Sequence, residues 1–89
     1  MEQFQNDCRR RLMSWFEQAK GVTLDFNDTY VVWSCKALQN FKCLVSTNVD
    51  GDTTYAEYTY NGDKQEVYED IYIKAVNQVH VVKGVAKDE

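Results

Sequence analysis

The chain has 89 residues, 44% of them apolar and 27% charged, and a formal net charge of −4. That is the length of one domain, 1–89, and two Trp, six Tyr and four Phe are too many aromatics for a disordered segment and enough for a core without metal or disulfides. No apolar run approaches the roughly 20 residues that span a bilayer, and polar residues separate Phe4 from Cys8 where a signal peptide would be apolar, so the expectation is a cytoplasmic protein with no membrane contact.

Phe4, Cys8, Leu12, Trp15 and Ala19 recur at helical spacing, which predicts a helix over 2–20 with Met13 and Phe16 widening its apolar stripe. Gly21 is a natural stop and Lys20 suits the negative end of the helix dipole. Arg9, Arg10 and Arg11 point in three directions around this helix and read as a solvated flank. Asp25 to Thr29 is a turn by composition. From Tyr30 to Ala37 the pattern alternates, with Val31, Trp33, Cys35 and Ala37 on the apolar side, which predicts a strand. A second strand follows with Phe41, Cys43, Val45 and Thr47 on one side. For the loop between them, three residues, Leu38 to Asn40, pair Ala37 with Phe41, Cys35 with Cys43 and Trp33 with Val45.

Asp50-Gly51 is a two-residue hairpin signal. It sets Val49 opposite Asp52, Thr47 opposite Thr54, Val45 opposite Ala56, Cys43 opposite Tyr58 and Phe41 opposite Tyr60, and a one-residue slip would put Glu57 among the apolar partners. Asn61-Gly62-Asp63 ends the third strand. Asp63 and Glu66 have capping-box spacing, and Val67, Ile71, Ala75 and Val79 form a stripe beside Tyr68, Tyr72 and Val76, which predicts a second helix ending near Val82 to Gly84. His80 to Val82 is open to a short strand instead. The predicted fold is α+β, a two-layer α-β-β-β-α domain whose three-stranded antiparallel meander carries both helices on one face.

Chemistry-bearing constellations are sparse. The three cysteines include no C-x-x-C and the single histidine is His80, so no metal and no cofactor is expected and the thiols read as small buried apolar groups. Ser46, Asn48, Asp50, Gly51 and Glu57 match a calcium loop in part, but across a hairpin and without the first Asp. No nucleophile–base pair is visible, and no catalytic residue is assigned. Two surfaces remain. Residues 50–70 hold Asp50, Asp52, Glu57, Asp63, Glu66, Glu69 and Asp70 against Lys64 alone, a net −6, which disfavours direct nucleic-acid binding and suggests an acidic partner-binding edge. The outer sheet face should carry Tyr30, Val32, Leu44 and Tyr55, a candidate homodimer or ligand face.

The stretches Tyr30 to Asn40 (YVVWSCKALQN) and Tyr58 to Glu66 (YTYNGDKQE) resemble short proteins of unknown function encoded by phages and prophages of Gram-positive bacteria, over roughly residues 25–75. The resemblance implies a bacterial host cytoplasm and no known catalytic residues. Small acidic phage proteins include inhibitors of host defence, anti-CRISPR proteins among them, and the layout is similar to some of these in architecture only. Two functions follow as expectations, beside a structural or regulatory phage protein with no inhibitory role. The first is an inhibitor or modulator that covers a basic, nucleic-acid-binding surface of a host protein. The second is an oligomeric nucleotide trap, with Tyr and Trp stacking the base and Arg9 to Arg11 or Lys42 meeting phosphate.

Overall fold

Helix α1 (Glu2–Lys20), a single 3-10 turn (Phe26–Asp28) and four strands, β1 (Thr29–Ala37), β2 (Asn40–Thr47), β3 (Thr54–Asn61) and β4 (Glu66–Ile73), follow one another along the chain. They are seen in a computed structural model that describes residues 1–49, 51–52, 54–73 and 78–81. The strands form one antiparallel sheet in the order β1-β2-β3-β4.

Helix α1 buries Cys8, Leu12 and Phe16, spaced four apart, so the buried stripe ends on Phe16 and not on Trp15 and Ala19 as expected; Phe4, Met13 and Trp15 lie at the margins of the core and Ala19 is exposed. It stops at Gly21, whose left-handed backbone (φ 66°) lets its amide bond Glu17 O at 3.1 Å while the Val22 amide bonds Phe16 O at 3.2 Å, which closes the helix end. The helix lies over β1 and β2, and the core joins its stripe to Leu24, Cys43, Val45, Ala56 and Tyr58. Cys8 and Cys43 are buried there, but Cys35 is exposed, so only two of the three thiols act as core. The Cys8 thiol, hydrogen-bonded to Cys43 and buried, is pushed far above its ordinary value.

Lys20 latches the helix to the β2–β3 end of the sheet. Its Nζ lies 2.8 Å from Asp52 Oδ2 and 3.2 Å from Thr54 Oγ1, and 4.8 Å from the Phe16 ring. Burial pushes the Asp52 carboxyl up, but the Lys20 ammonium and the hydroxyl and amide of Thr54 outweigh it, and the net value is lowered. A lowered folded-state value contributes stability above the ordinary carboxylate range, and this is lost as pH falls through it. Urea midpoints at neutral pH and at about pH 3 are therefore expected to differ less in Asp52→Asn than in the wild type; an equal difference would show that the latch carries no such linkage.

The β2–β3 register is the expected one, with Phe41 opposite Tyr60, Cys43 opposite Tyr58 and Val45 opposite Ala56. The Asp52 amide bonds Val49 O at 3.1 Å and Gly51 takes φ 79°; Asp50 lies outside the described residues. The β1–β2 hairpin differs from expectation. Its loop has two residues, Leu38 and Gln39, with Ala37 opposite Asn40. Strand β1 also carries one extra residue, a bulge at Val32 between the pairs Val31–Val45 and Trp33–Leu44. A bulge reverses the alternation beyond it. Ser34 and Lys36 therefore face the helix side, where Ser34 Oγ accepts from Gln5 Nε2 at 2.6 Å and Lys36 Nζ sits 5.4 Å from the Phe41 ring. Trp33 and Cys35, expected among the core residues, turn to the outer face. Leu38 is 92% exposed at φ 58°, where a bulky side chain costs roughly 1–2 kcal/mol. Leu38→Asn is expected to raise stability by about 0.5–1 kcal/mol, read as an increased urea midpoint at unchanged slope.

The second helix does not form; residues 66–73 are strand β4, so the three-stranded α-β-β-β-α expectation is overturned by one helix on a four-stranded meander. The reason is arithmetic. Val67 and Ile71, and likewise Tyr68 and Tyr72, are four apart, and residues four apart share a face in a strand as they do in a helix. Val67, Ile71, Ile73, Tyr68 and Tyr72 are β-branched or aromatic and fit a pleated surface. Asp63 is not a helix cap. Asn61 Oδ1 accepts from the amides of Asp63 (3.0 Å) and Lys64 (3.2 Å), and Gln65 at φ 53° turns the chain back into β4. Residues 78–81 take neither helix nor strand, and the expected helix positions 74–77 and Val82 to Gly84 lie outside the described residues.

Candidate functional site: an open aromatic face of the sheet

With one helix on one side, the other face of the sheet is bare among the described residues. The ladder places Tyr30, Ser46, Tyr55 and Tyr72 in one row across the four strands, Trp33, Leu44, Glu57 and Asp70 in the next, and Cys35, Lys42, Thr59 and Tyr68 in a third. Tyr30, Val32, Trp33, Tyr68 and Tyr72 are each 42–52% exposed, an aromatic density unusual for a surface that faces only water. Single exposed apolar residues are ordinary; here the exposed ones lie on the two edge strands, β1 and β4, and the half-buried Leu44 and Tyr55 join them across β2 and β3.

Leu44, Tyr55, Glu57 and Tyr72 bound a shallow recess of about 330 Å³ in this face. Its tyrosines do not stack on one another. The ring pairs among the described residues are Phe4–Phe41, Phe4–Tyr60, Phe41–Tyr60 and Trp15–Phe16, none of them on the outer face. Beside the recess Glu57 stands directly opposite Asp70, a like-charge pair that disfavours the ladder. Lys42 Nζ reaches Glu57 Oε2 only at 3.7 Å. The Tyr68 hydroxyl donates to Glu66 Oε1 at 2.7 Å, which pushes its phenol above the ordinary value.

The seven acidic residues of 50–70 do not form one edge. Asp52 is held by Lys20 at one end of the sheet, and Asp63 sits in the β3–β4 turn at the other. Glu69 is on the helix side, accepting from the buried Tyr58 hydroxyl at 2.6 Å; burial and this carboxylate push the Tyr58 phenol far up. Glu57, Glu66 and Asp70 belong to the outer face, and Asp50 lies outside the described residues. The four residues expected on the outer face are there: Tyr30, Leu44 and Tyr55 in the ladder rows, and Val32 at the bulge. Sequence reasoning missed Trp33, Tyr68 and Tyr72. The signal for the last two was present in the β-branched and aromatic run 67–73.

The basic candidates are mostly engaged. Arg9 donates to Thr29 Oγ1 (2.9 Å), Phe26 O (2.9 Å) and Thr29 O (3.0 Å), and Arg10 faces Asp7 at 3.5 Å. Arg11 lines a second groove on the helix side, with Phe4, Asp7, Phe41, Tyr60 and Val67. Of the partial calcium loop, Ser46 uses its hydroxyl to donate to Thr54 O at 2.9 Å. No described helix is long and apolar enough to cross a membrane.

No curated protein and no solved structure matches the chain. The model of a family of unknown function, DUF6275, matches residues 5–82. With so much of its length inside that match, the chain belongs to the family of unknown function DUF6275.

Proposed function

We propose that the protein is a binding module whose open sheet face docks on a basic surface of another protein. The observation that carries this is the combination on one bare face of Tyr30, Trp33, Tyr55, Tyr68 and Tyr72 with the adjacent carboxylates Glu57 and Asp70. Aromatic side chains are the usual anchors of protein interfaces, and the carboxylates select a cationic partner and repel an anionic one. A second copy of the chain fits less well, because it would set Glu57 and Asp70 of each protomer into one interface. A nucleotide fits less well too, since Lys42 is the only basic residue in the three ladder rows of this face. The resemblance to phage and prophage proteins supports a host protein as the partner, one whose basic surface serves nucleic acid and which the module inhibits or modulates by covering it.

The test is capture from host lysate by wild type, by the face variant Trp33→Ser/Tyr72→Ser and by Arg11→Ser on the opposite side, followed by chemical-shift mapping with the purified partner. The expected result is a protein retained by wild type and Arg11→Ser, lost by the face variant and released by salt, with shifts on the outer rows. Sedimentation of the free chain should give the 10.4 kDa monomer. Capture unaffected by the face variant, or a dimer that the face variant dissociates, would overturn the reading.

A further inference from the structure

We infer that the recess bounded by Leu44, Tyr55, Glu57 and Tyr72 is a subsite for an arginine side chain of the docking protein. This rests on the reading of the open face as the interface. Tyr55 and Tyr72 face each other across the β3–β4 ladder, and Glu57 and Asp70 face each other two residues further along, about 7 Å away on the same face. A pair of aromatic rings and a pair of carboxylates at that separation match the two demands of a guanidinium. Its plane stacks on an aromatic ring, and its fork of donors suits carboxylate oxygens. Leu44 supplies an apolar wall for the methylene stem, which an arginine buries readily.

The present partners leave the site incomplete. Neither tyrosine ring forms an aromatic pair among the described residues. Lys42 meets Glu57 at 3.7 Å, well beyond the roughly 2.7–2.9 Å of a good charge-assisted hydrogen bond, and Asp70 makes no ion pair among the described residues. An incoming guanidinium would bridge the two carboxylates and remove their repulsion, whereas an apolar side chain would bury them uncompensated. Lysine offers one compact, strongly hydrated charge and cannot stack and fork at once.

The isotope-labelled full chain is titrated at low salt with two peptides, acetyl-(Gly-Arg)4-amide and acetyl-(Gly-Lys)4-amide. The arginine peptide is expected to shift the signals of Tyr55, Glu57, Asp70 and Tyr72, and to bind several-fold more tightly than the lysine peptide. Asp70→Asn and Tyr72→Leu should each weaken it by about tenfold. Asp63→Asn removes the same charge at the far turn and should change it less than about twofold. Equal weakening by Asp63→Asn and Asp70→Asn, or equal binding of the two peptides, would overturn the subsite. Loss of partner capture by Trp33→Ser/Tyr72→Ser without any peptide shift at the recess would sink the arginine subsite and leave the docking face standing. Capture indifferent to that variant would sink both.

Discussion

Phe16→Ala is expected to lower stability by about 3–5 kcal/mol, against a total of about 5–15 kcal/mol for a domain of this kind. Phe16 is 1% exposed and stands at the end of the buried stripe of α1. Its ring packs edge-on to Trp15, with centroids 5.4 Å apart, and lies under the Lys20 ammonium. The side chain is therefore a contact of the helix with the sheet and a seat for the Lys20–Asp52 latch. Removing it leaves a cavity that neither the ladder of β2 nor the helix can close without losing backbone bonds. The urea midpoint should fall with little change of slope, and the variant should expose the helix side of the sheet and aggregate as concentration rises. A loss below about 1 kcal/mol would mean that α1 is not seated on the sheet through this residue.

Arg9→Ala should cost about 1.5–3 kcal/mol, the range for hydrogen bonds made by a charged group, here in a partly buried place. The Arg9 guanidinium serves three acceptors at once, the hydroxyl and carbonyl of Thr29 and the carbonyl of Phe26, and stacks 3.6 Å above the Phe26 ring centroid. That cluster ties α1 to the start of β1. It is continued on the sheet side by Thr47 Oγ1, which donates to Asp28 O at 2.7 Å. Arg9→Lys should restore only a minor part of the loss, because one ammonium cannot reproduce the planar fork. Hydrogen exchange around Asp28, which should quicken in both variants, distinguishes this from a general loss of charge; full rescue by lysine would contradict it.

How far the fold was legible differs from element to element. The helix over 2–20 and its stop at Gly21 could be read because period and terminator agree there. The β2–β3 register could be read because Asp50-Gly51 signals a short turn and the apolar pairs fit one alignment. Strand β4 could not, because a four-residue spacing fits a helix face and a strand face alike and Asp63 with Glu66 imitated a cap. The bulge at Val32 was invisible because Tyr30 to Trp33 are all apolar, so that either face suits each of them, and the alternation that follows is reversed only by pairing with β2. The candidate site inherits both errors: Tyr30, Leu44 and Tyr55 were placed on the outer face, whereas Trp33 was assigned to the core and Tyr72 to a helix.

By itself the sequence determined what local physics decides: a helix with one apolar stripe, strands around a tight turn, a net negative charge, and an aromatic content that must be buried or presented. Which aromatics are presented was decided by the tertiary structure. The alternation of side chains is relative to a partner strand, so the direction of Trp33 depends on a bulge that only the β1–β2 pairing reveals. Whether 66–73 is helix or strand depends on the free edge of β3, which offers it a ladder of hydrogen bonds along its whole length. Charge followed the same rule. The count of carboxylates in 50–70 was in the sequence, but the separation of Asp52, Asp63 and Glu69 from the Glu57–Asp70 pair comes from the meander, which sends neighbouring residues to opposite faces and opposite ends of one sheet.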